Sequence, residues 1–153
     1  YDVVERLLRD DRVDPGAQDN EAVIRASENG YRDLVGLLLR DDRVDPSDKN
    51  NEAVMWASED GHYEVVRLLL QDDRVDPSVT SSWTIRLASK NGHYGIVEML
   101  LRDDKVDPGA KNNWALRKAY ENNHRDVVEL LLQNERVRQV MRQQGKQESA
   151  YLF

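Results

Sequence analysis

The chain has 153 residues, 22 Lys and Arg against 29 Asp and Glu, and a net charge of −7 with histidine neutral. That length suits one domain or two small ones, and no apolar run reaches the roughly 18 residues of a membrane-spanning helix. The acidic balance argues against broad nucleic-acid or anionic-lipid binding, which needs a concentrated basic surface. The absence of cysteine excludes disulfides, cysteine-zinc sites and thiol catalysis. It fits a reducing compartment, so the expected location is intracellular, cytoplasmic or nuclear.

Val-Asp-Pro recurs with its prolines at Pro15, Pro46, Pro77 and Pro108, a constant step of 31 residues. Ala26, Ala57, Ala88 and Ala119 keep the same step, as do Gly30, Gly61, Gly92 and Asn123. Residues 1–15 therefore read as a partial repeat, followed by full repeats at 16–46, 47–77, 78–108 and 109–139 and a tail at 140–153. Tyr1 aligns with Tyr63 in mid-repeat, so the sequence reads as a portion of a longer array. Arg6, in a register otherwise held by Leu or Met, suits an exposed end. No signal peptide is seen.

Each repeat predicts two short helices. Asp19, Asn50, Ser81 and Asn112 stand where an N-cap would open the first helix. Gly30, Gly61, Gly92 and Asn123 close it, because Gly and then Asn best tolerate left-handed backbone. The second helix carries leucine triplets such as Leu68 to Leu70, and its wide apolar face predicts that it is the more buried of the two. Asp-Asp-Arg-Val-Asp-Pro then ends it, since a residue preceding proline disfavours helix. The last connector lacks Asp-Pro, so residues 136–145 predict a short helix that caps the array. Lys146 to Phe153 is expected to fray or fold back on it, more than to act as a linear motif.

Glu59-Asp-Gly-His-Tyr-Glu-Val-Val-Arg-Leu-Leu-Leu70 and Asn91-Gly-His-Tyr-Gly-Ile-Val-Glu-Met-Leu-Leu101 resemble ankyrin repeats over about residues 1–139. Family repeats run near 33 residues, so these units are shortened by about two, in the connector that would form a β-hairpin. The family's Thr-Pro-Leu-His opening is replaced by Glu52-Ala-Val-Met55 and Trp83-Thr-Ile-Arg86. Its threonine and histidine hydrogen bonds are thereby lost. The resemblance implies an all-α solenoid of stacked helix-turn-helix repeats with short turns or reduced hairpins. It also implies a concave face of first helices that contacts a protein partner.

One side of each predicted first helix is small and apolar in every repeat: Ala22, Val23, Ala26; Ala53, Val54, Ala57; Thr84, Ile85, Ala88; Ala115, Leu116, Ala119. The other side changes freely: Glu21, Ile24, Arg25, Glu28; Glu52, Met55, Trp56, Glu59; Trp83, Arg86, Leu87, Lys90; Trp114, Arg117, Lys118, Glu121. A face the fold does not dictate is the candidate binding surface. Its expected contact residues are Trp56, Trp83, Arg86, Lys90, Trp114, Arg117 and Lys118, because Trp and Arg dominate binding hot spots. Trp83 and Trp114 share a register and should stand side by side, within reach of a cation–aromatic contact. The competing expectation is that the rings fill grooves between repeats under arginine stems. Charge is graded from −2, −3 and −5 over the first 77 residues to 0, +2 and +1 beyond.

His62, His93 and His124 share one register, but equivalent residues of packed helices stand about 8–10 Å apart, whereas zinc ligands converge at about 2 Å. No metal is expected there, and the resemblance gives this histidine a structural role. The pairs Asp41-Asp42, Asp72-Asp73 and Asp103-Asp104 lack a calcium-loop pattern and read as connector charges, neutralised by Arg43, Arg74 and Lys105. No phosphate loop or nucleophile-elbow motif occurs. The reading is a non-catalytic protein-interaction module, without cofactor and monomeric in isolation. The alternative is a structural spacer or self-assembling array within a larger protein.

Overall fold

The last carbonyls of a helix have no partner within it, and the way this chain answers them sets its architecture. A computed structural model describes residues 2–150, with the side chains of 3–145. The helices are α1 (Asp2–Leu8), α2 (Ala17–Glu28), α3 (Arg32–Leu38), α4 (Asp48–Glu59), α5 (Tyr63–Leu69), α6 (Val79–Lys90), α7 (Tyr94–Leu100), α8 (Ala110–Glu121), α9 (Arg125–Gln133) and α10 (Glu135–Ala150). First helices α2, α4, α6 and α8 pack side by side in one layer, and α3, α5, α7 and α9 form a second behind them. No strand occurs among the described residues, so the connectors are turns rather than hairpins.

The core repeats with the sequence. Val23, Val54 and Ile85 are sealed on the first helices, and Val35, Val66 and Val97 on the second. Val44, Val75 and Val106 plug the connectors, and Val137 of α10 takes the same register at the C-terminal end although Asp-Pro is gone. The first helices stop at left-handed Gly30, Gly61, Gly92 and Asn123, with φ of 71°, 82°, 77° and 62°. The bare glycine surface is also where the next repeat arrives. His62 lies on Gly30 and donates from Nε2 to Glu28 O at 2.8 Å; His93 does the same to Glu59 O at 2.8 Å and His124 to Lys90 O at 3.0 Å. A carbonyl can only accept, so each ring carries its proton on Nε2.

The connectors are tied in parallel. Arg43 grips Asp41 at 2.7 Å and donates to Val13 O and Leu8 O, each at 2.9 Å. Arg74 holds Asp72 and Val44 O, and Arg136 reaches Val106 O at 2.8 Å. Lys105, too short and unforked for this, leaves Asp103 bonded only to its backbone N–H.

Three expectations are corrected. Asp19, Asn50, Ser81 and Asn112 are not caps: each lies inside three consecutive left-handed residues, at 18–20, 49–51, 80–82 and 111–113. Capping needs extended backbone at that position, and the side chain that matters is one residue later. Buried Asn20 and Asn51 accept the N–H of Asp45 and Asp76 at 2.7 Å, and Ser82 that of Asp107 at 2.8 Å. Second, the second helix is not the more buried of the two: α6 buries seven of its twelve residues against three of seven in α7, and α4 and α5 bury nearly equal shares, because each layer packs on its own neighbours and on the other layer. Third, Ala22 of the apolar face is exposed, since no described helix precedes α2 in its layer. Of the tail, α10 continues through Ala150, and residues 151–153 lie outside the described residues.

Arg43 holds the Asp41 carboxyl down to about 2, and Arg74 and Ser78 lower those of Asp72 and Asp76. Acids with depressed folded values stabilise in full above their unfolded value of about 3.9 and lose that contribution as pH falls through the folded one. Urea unfolding midpoints should therefore drop between about pH 4 and about pH 2, and less so in an Asp41→Asn, Asp72→Asn variant. A Cβ on Gly61 would meet His93 Cε1 at 2.5 Å. Gly61→Ala is expected to cost about 2 kcal/mol in the same assay, whereas Asn123→Gly, where no described histidine packs, should change stability by less than about 0.5 kcal/mol.

Candidate functional site

Because first helices stack in register, side chains 31 residues apart become neighbours. Trp83 on α6 and Trp114 on α8 lie with ring centroids 6.3 Å apart and planes at 27°, as their shared register predicts. One turn along α6, the Arg86 guanidinium bridges both rings, its Cζ 4.4 Å from the Trp83 centroid and 4.7 Å from that of Trp114. Lys118, a turn beyond Trp114 on α8, brings Nζ to 5.9 Å from that ring while pairing with Glu121.

Arg86 is 6% exposed, the one arginine among the buried polar residues. It makes no ion pair or hydrogen bond with any described residue, and its Nε is sealed from solvent without a partner. Burial alone pulls its guanidinium below the ordinary value. The aromatic faces compensate part of that burial, since desolvated cation–aromatic contacts are worth about 2 kcal/mol.

The other expected residues surround this cluster. Trp56 packs partly against the core and lines a groove of about 320 Å³ with Lys49, Asn50, Glu52, Met55, Thr80 and Trp83. Thus Trp56 and Trp83 share a groove, and Trp83 and Trp114 a stack. Lys90 is half-buried, and its ammonium has no partner among the described residues. Arg117 is exposed, with one long contact to Lys111 O at 3.5 Å. The variable face is therefore not uniformly free: Ile24, Arg86 and Leu87 are buried in it.

The lining residues Lys49, Asn50 and Thr80 were not expected. They reach the groove because they stand in the left-handed turns that open α4 and α6. The usable signal was asparagine at fixed register, in Asp19-Asn20, Asn50-Asn51 and Asn112-Asn113, since Asn and Asp visit that conformation most readily. The histidines hold successive repeats and the first acid of each pair, Asp41, Asp72 and Asp103, holds its own connector, and no group of three or more metal-ligating side chains forms among the described residues.

A family model described as three copies of ankyrin repeats matches residues 1–81, and one described as an ankyrin repeat matches residues 85–113. The chain belongs to the ankyrin-repeat family. No curated protein matches it. Ankyrin repeats are generally protein-interaction modules and generally not enzymes, and no helix among the described residues is long and apolar enough to cross a membrane.

Replacing a buried, unpaired cation with an apolar side chain of similar length removes a desolvation penalty. Arg86→Met should thus leave this ankyrin array at least as stable as the parent, by up to about 1 kcal/mol, in thermal or urea unfolding. A loss of more than that would mean the guanidinium is a structural element of the stack.

Proposed function

We propose that this ankyrin-repeat chain binds a protein partner on the face of its first helices, centred on Trp83, Arg86 and Trp114. Trp56, Lys90, Arg117 and Lys118 complete the contact. The observation that carries the reading is a half-open tryptophan pair holding an arginine without a partner, on a face where sequence varies while the packing face behind it repeats. Aromatic rings and arginine are the residue types that supply most of an interface's binding energy when a partner seals them from water.

The stacked layer supplies preorganisation. Histidine–carbonyl and arginine–carbonyl ties between successive repeats fix the spacing of the first helices, so little backbone or rotamer freedom remains to be lost on binding. The charge gradient orients the approach. Residues 16–77 are acidic and 109–139 carry +2, which suits a partner whose own surface is mixed, with its acidic part toward α6 and α8. The reading treats the chain as a non-catalytic module acting as a monomer.

The test is quantitative capture from native lysate by the chain and by a Trp83→Ala, Trp114→Ala variant shown by circular dichroism to be folded. A partner held by the parent should be weakened at least about 30-fold in the variant, the effect of losing a hot spot of about 2 kcal/mol. Equal affinity of the two proteins for every captured partner would remove this face from consideration.

A further inference from the structure

The arginines that tie the repeats together all have oxygen partners. Arg43 holds Asp41 and two carbonyls, Arg74 holds Asp72 and a carbonyl, and Arg136 holds a carbonyl. Arg86, more buried than any of these, has none. Its aromatic contacts do not answer the deficit. Tryptophan rings stack on the face of a guanidinium, whereas its five N–H donors lie in its plane and point outward from its edge. The two rings confine the group, and its N–H donors have no oxygen partner among the described residues.

Of the Arg86 nitrogens only Nε is both sealed and unpartnered, so the terminal pair keeps access to solvent at the face. Cations without carboxylates lie along the same helices: Lys90 one turn on, and Lys111 and Arg117 on α8. A planar fork walled by two rings, with Lys90 one turn along its own helix and Arg117 in its register on the next, matches the two oxygens of a carboxylate taken side by side.

We propose that the open edge of Arg86, walled by Trp83 and Trp114, is a carboxylate-binding subsite that takes one Asp or Glu side chain of the protein partner. It rests on the assignment of the partner face made above and specifies its chemistry. The ligand's apolar stem lies against the tryptophan rims while its oxygens accept from the guanidinium. Lys90 and Arg117 attract acidic residues flanking the one that is seated, so the preferred partner segment is an acidic peptide rather than an isolated charge. Lysine in place of Arg86 would keep the charge and lose the fork.

The probe is a capped hexaglutamate peptide titrated into the ¹⁵N-labelled chain, with hexaglutamine and inorganic phosphate as comparisons. The Arg86 Nε–H and the Trp83 and Trp114 indole N–H resonances should shift saturably with hexaglutamate, more weakly as salt is raised, and not with hexaglutamine. Arg86→Lys and Arg86→Gln, each folded by circular dichroism, should weaken the titration by roughly tenfold or more, the scale of a bidentate charged contact. The proposal is overturned by equal shifts with hexaglutamine, by variants that titrate like the parent, or by shifts at Arg86 with phosphate alone. The two assignments fail differently. A partner lost by Trp83→Ala, Trp114→Ala but bound undiminished by Arg86→Lys would end the subsite and leave the face. Hexaglutamate seated on Arg86, with partner capture indifferent to both tryptophans, would end the face and leave the subsite.

Discussion

Glu28, Glu59 and Lys90 each end a helix with a carbonyl that no helical N–H can reach, and in each case the following repeat answers it with a histidine 34 residues on. In two of these places an asparagine adds its own donor, Asn91 to Glu59 O and Asn122 to Lys90 O. This bond fixes how one helix pair sits on the next, and the fit depends on glycine. The imidazole occupies the space a Cβ would take at Gly30, Gly61 and Gly92. Two requirements meet at those positions, a left-handed backbone and a flat surface, and glycine alone satisfies both. Asn123 meets the first without the second, and no histidine among the described residues lies on it.

The left-handed turns that open the first helices show the opposite compromise. Three consecutive residues at positive φ are costly for side chains other than glycine, about 1–2 kcal/mol each, with asparagine and aspartate easing the penalty. The turn persists because it delivers Asn20, Asn51 or Ser82 into the interior, where each accepts the amide of the next connector. In α6 the strained residues are Thr80, Ser81 and Ser82, with φ of 54°, 57° and 54°, and a β-branched threonine is poorly suited to that conformation. At the far end the arrangement runs out. Asn113 donates to Val137 O at 3.0 Å, but its own oxygen is orphaned, because the amide in the expected register, that of Arg138, is spent on the O of Asn134, the residue that precedes α10.

These particulars decide what could be read beforehand. The 31-residue step, the helix ends at Gly30, Gly61 and Gly92, the structural use of the histidines and the pairing of Trp83 with Trp114 were legible because each repeats, or follows from stacking identical registers. The left-handed turns were not, since Asn50-Asn51 ahead of a helix reads equally as a cap. The balance of burial was not legible because leucine triplets weigh heavily in an apolar count, whereas α2, α4, α6 and α8 are buried largely through alanines, valines, Ile24, Ile85 and small polar residues packed against adjacent first helices. The sealing of Arg86 was hidden for another reason. Burial at that register runs from Ile24, 4% exposed, through half-buried Met55 to exposed Arg117, and Arg86 is covered by a tryptophan three residues earlier and a second one in the next helix. Arg117 has only the first, since the residue 31 beyond Trp114 is Gly145.

That dependence says something about how such an array acquires a site. The packing face of each first helix must satisfy both neighbours, so small apolar residues recur there. The outer face is constrained only by whatever stands beside it, and two bulky rings in adjacent registers are enough to make a wall. Once Trp83 and Trp114 are stacked, packing there asks for little more than apolar filler, and Leu87, the next residue of α6, is 4% exposed. Arg86 instead puts a charge there, against both rings and with its Nε unanswered. Packing does not require a guanidinium at that point, and desolvation opposes it. Under the proposed subsite, the oxygen that answers the group's open nitrogens comes from a partner's carboxylate, since no described residue of this chain supplies one.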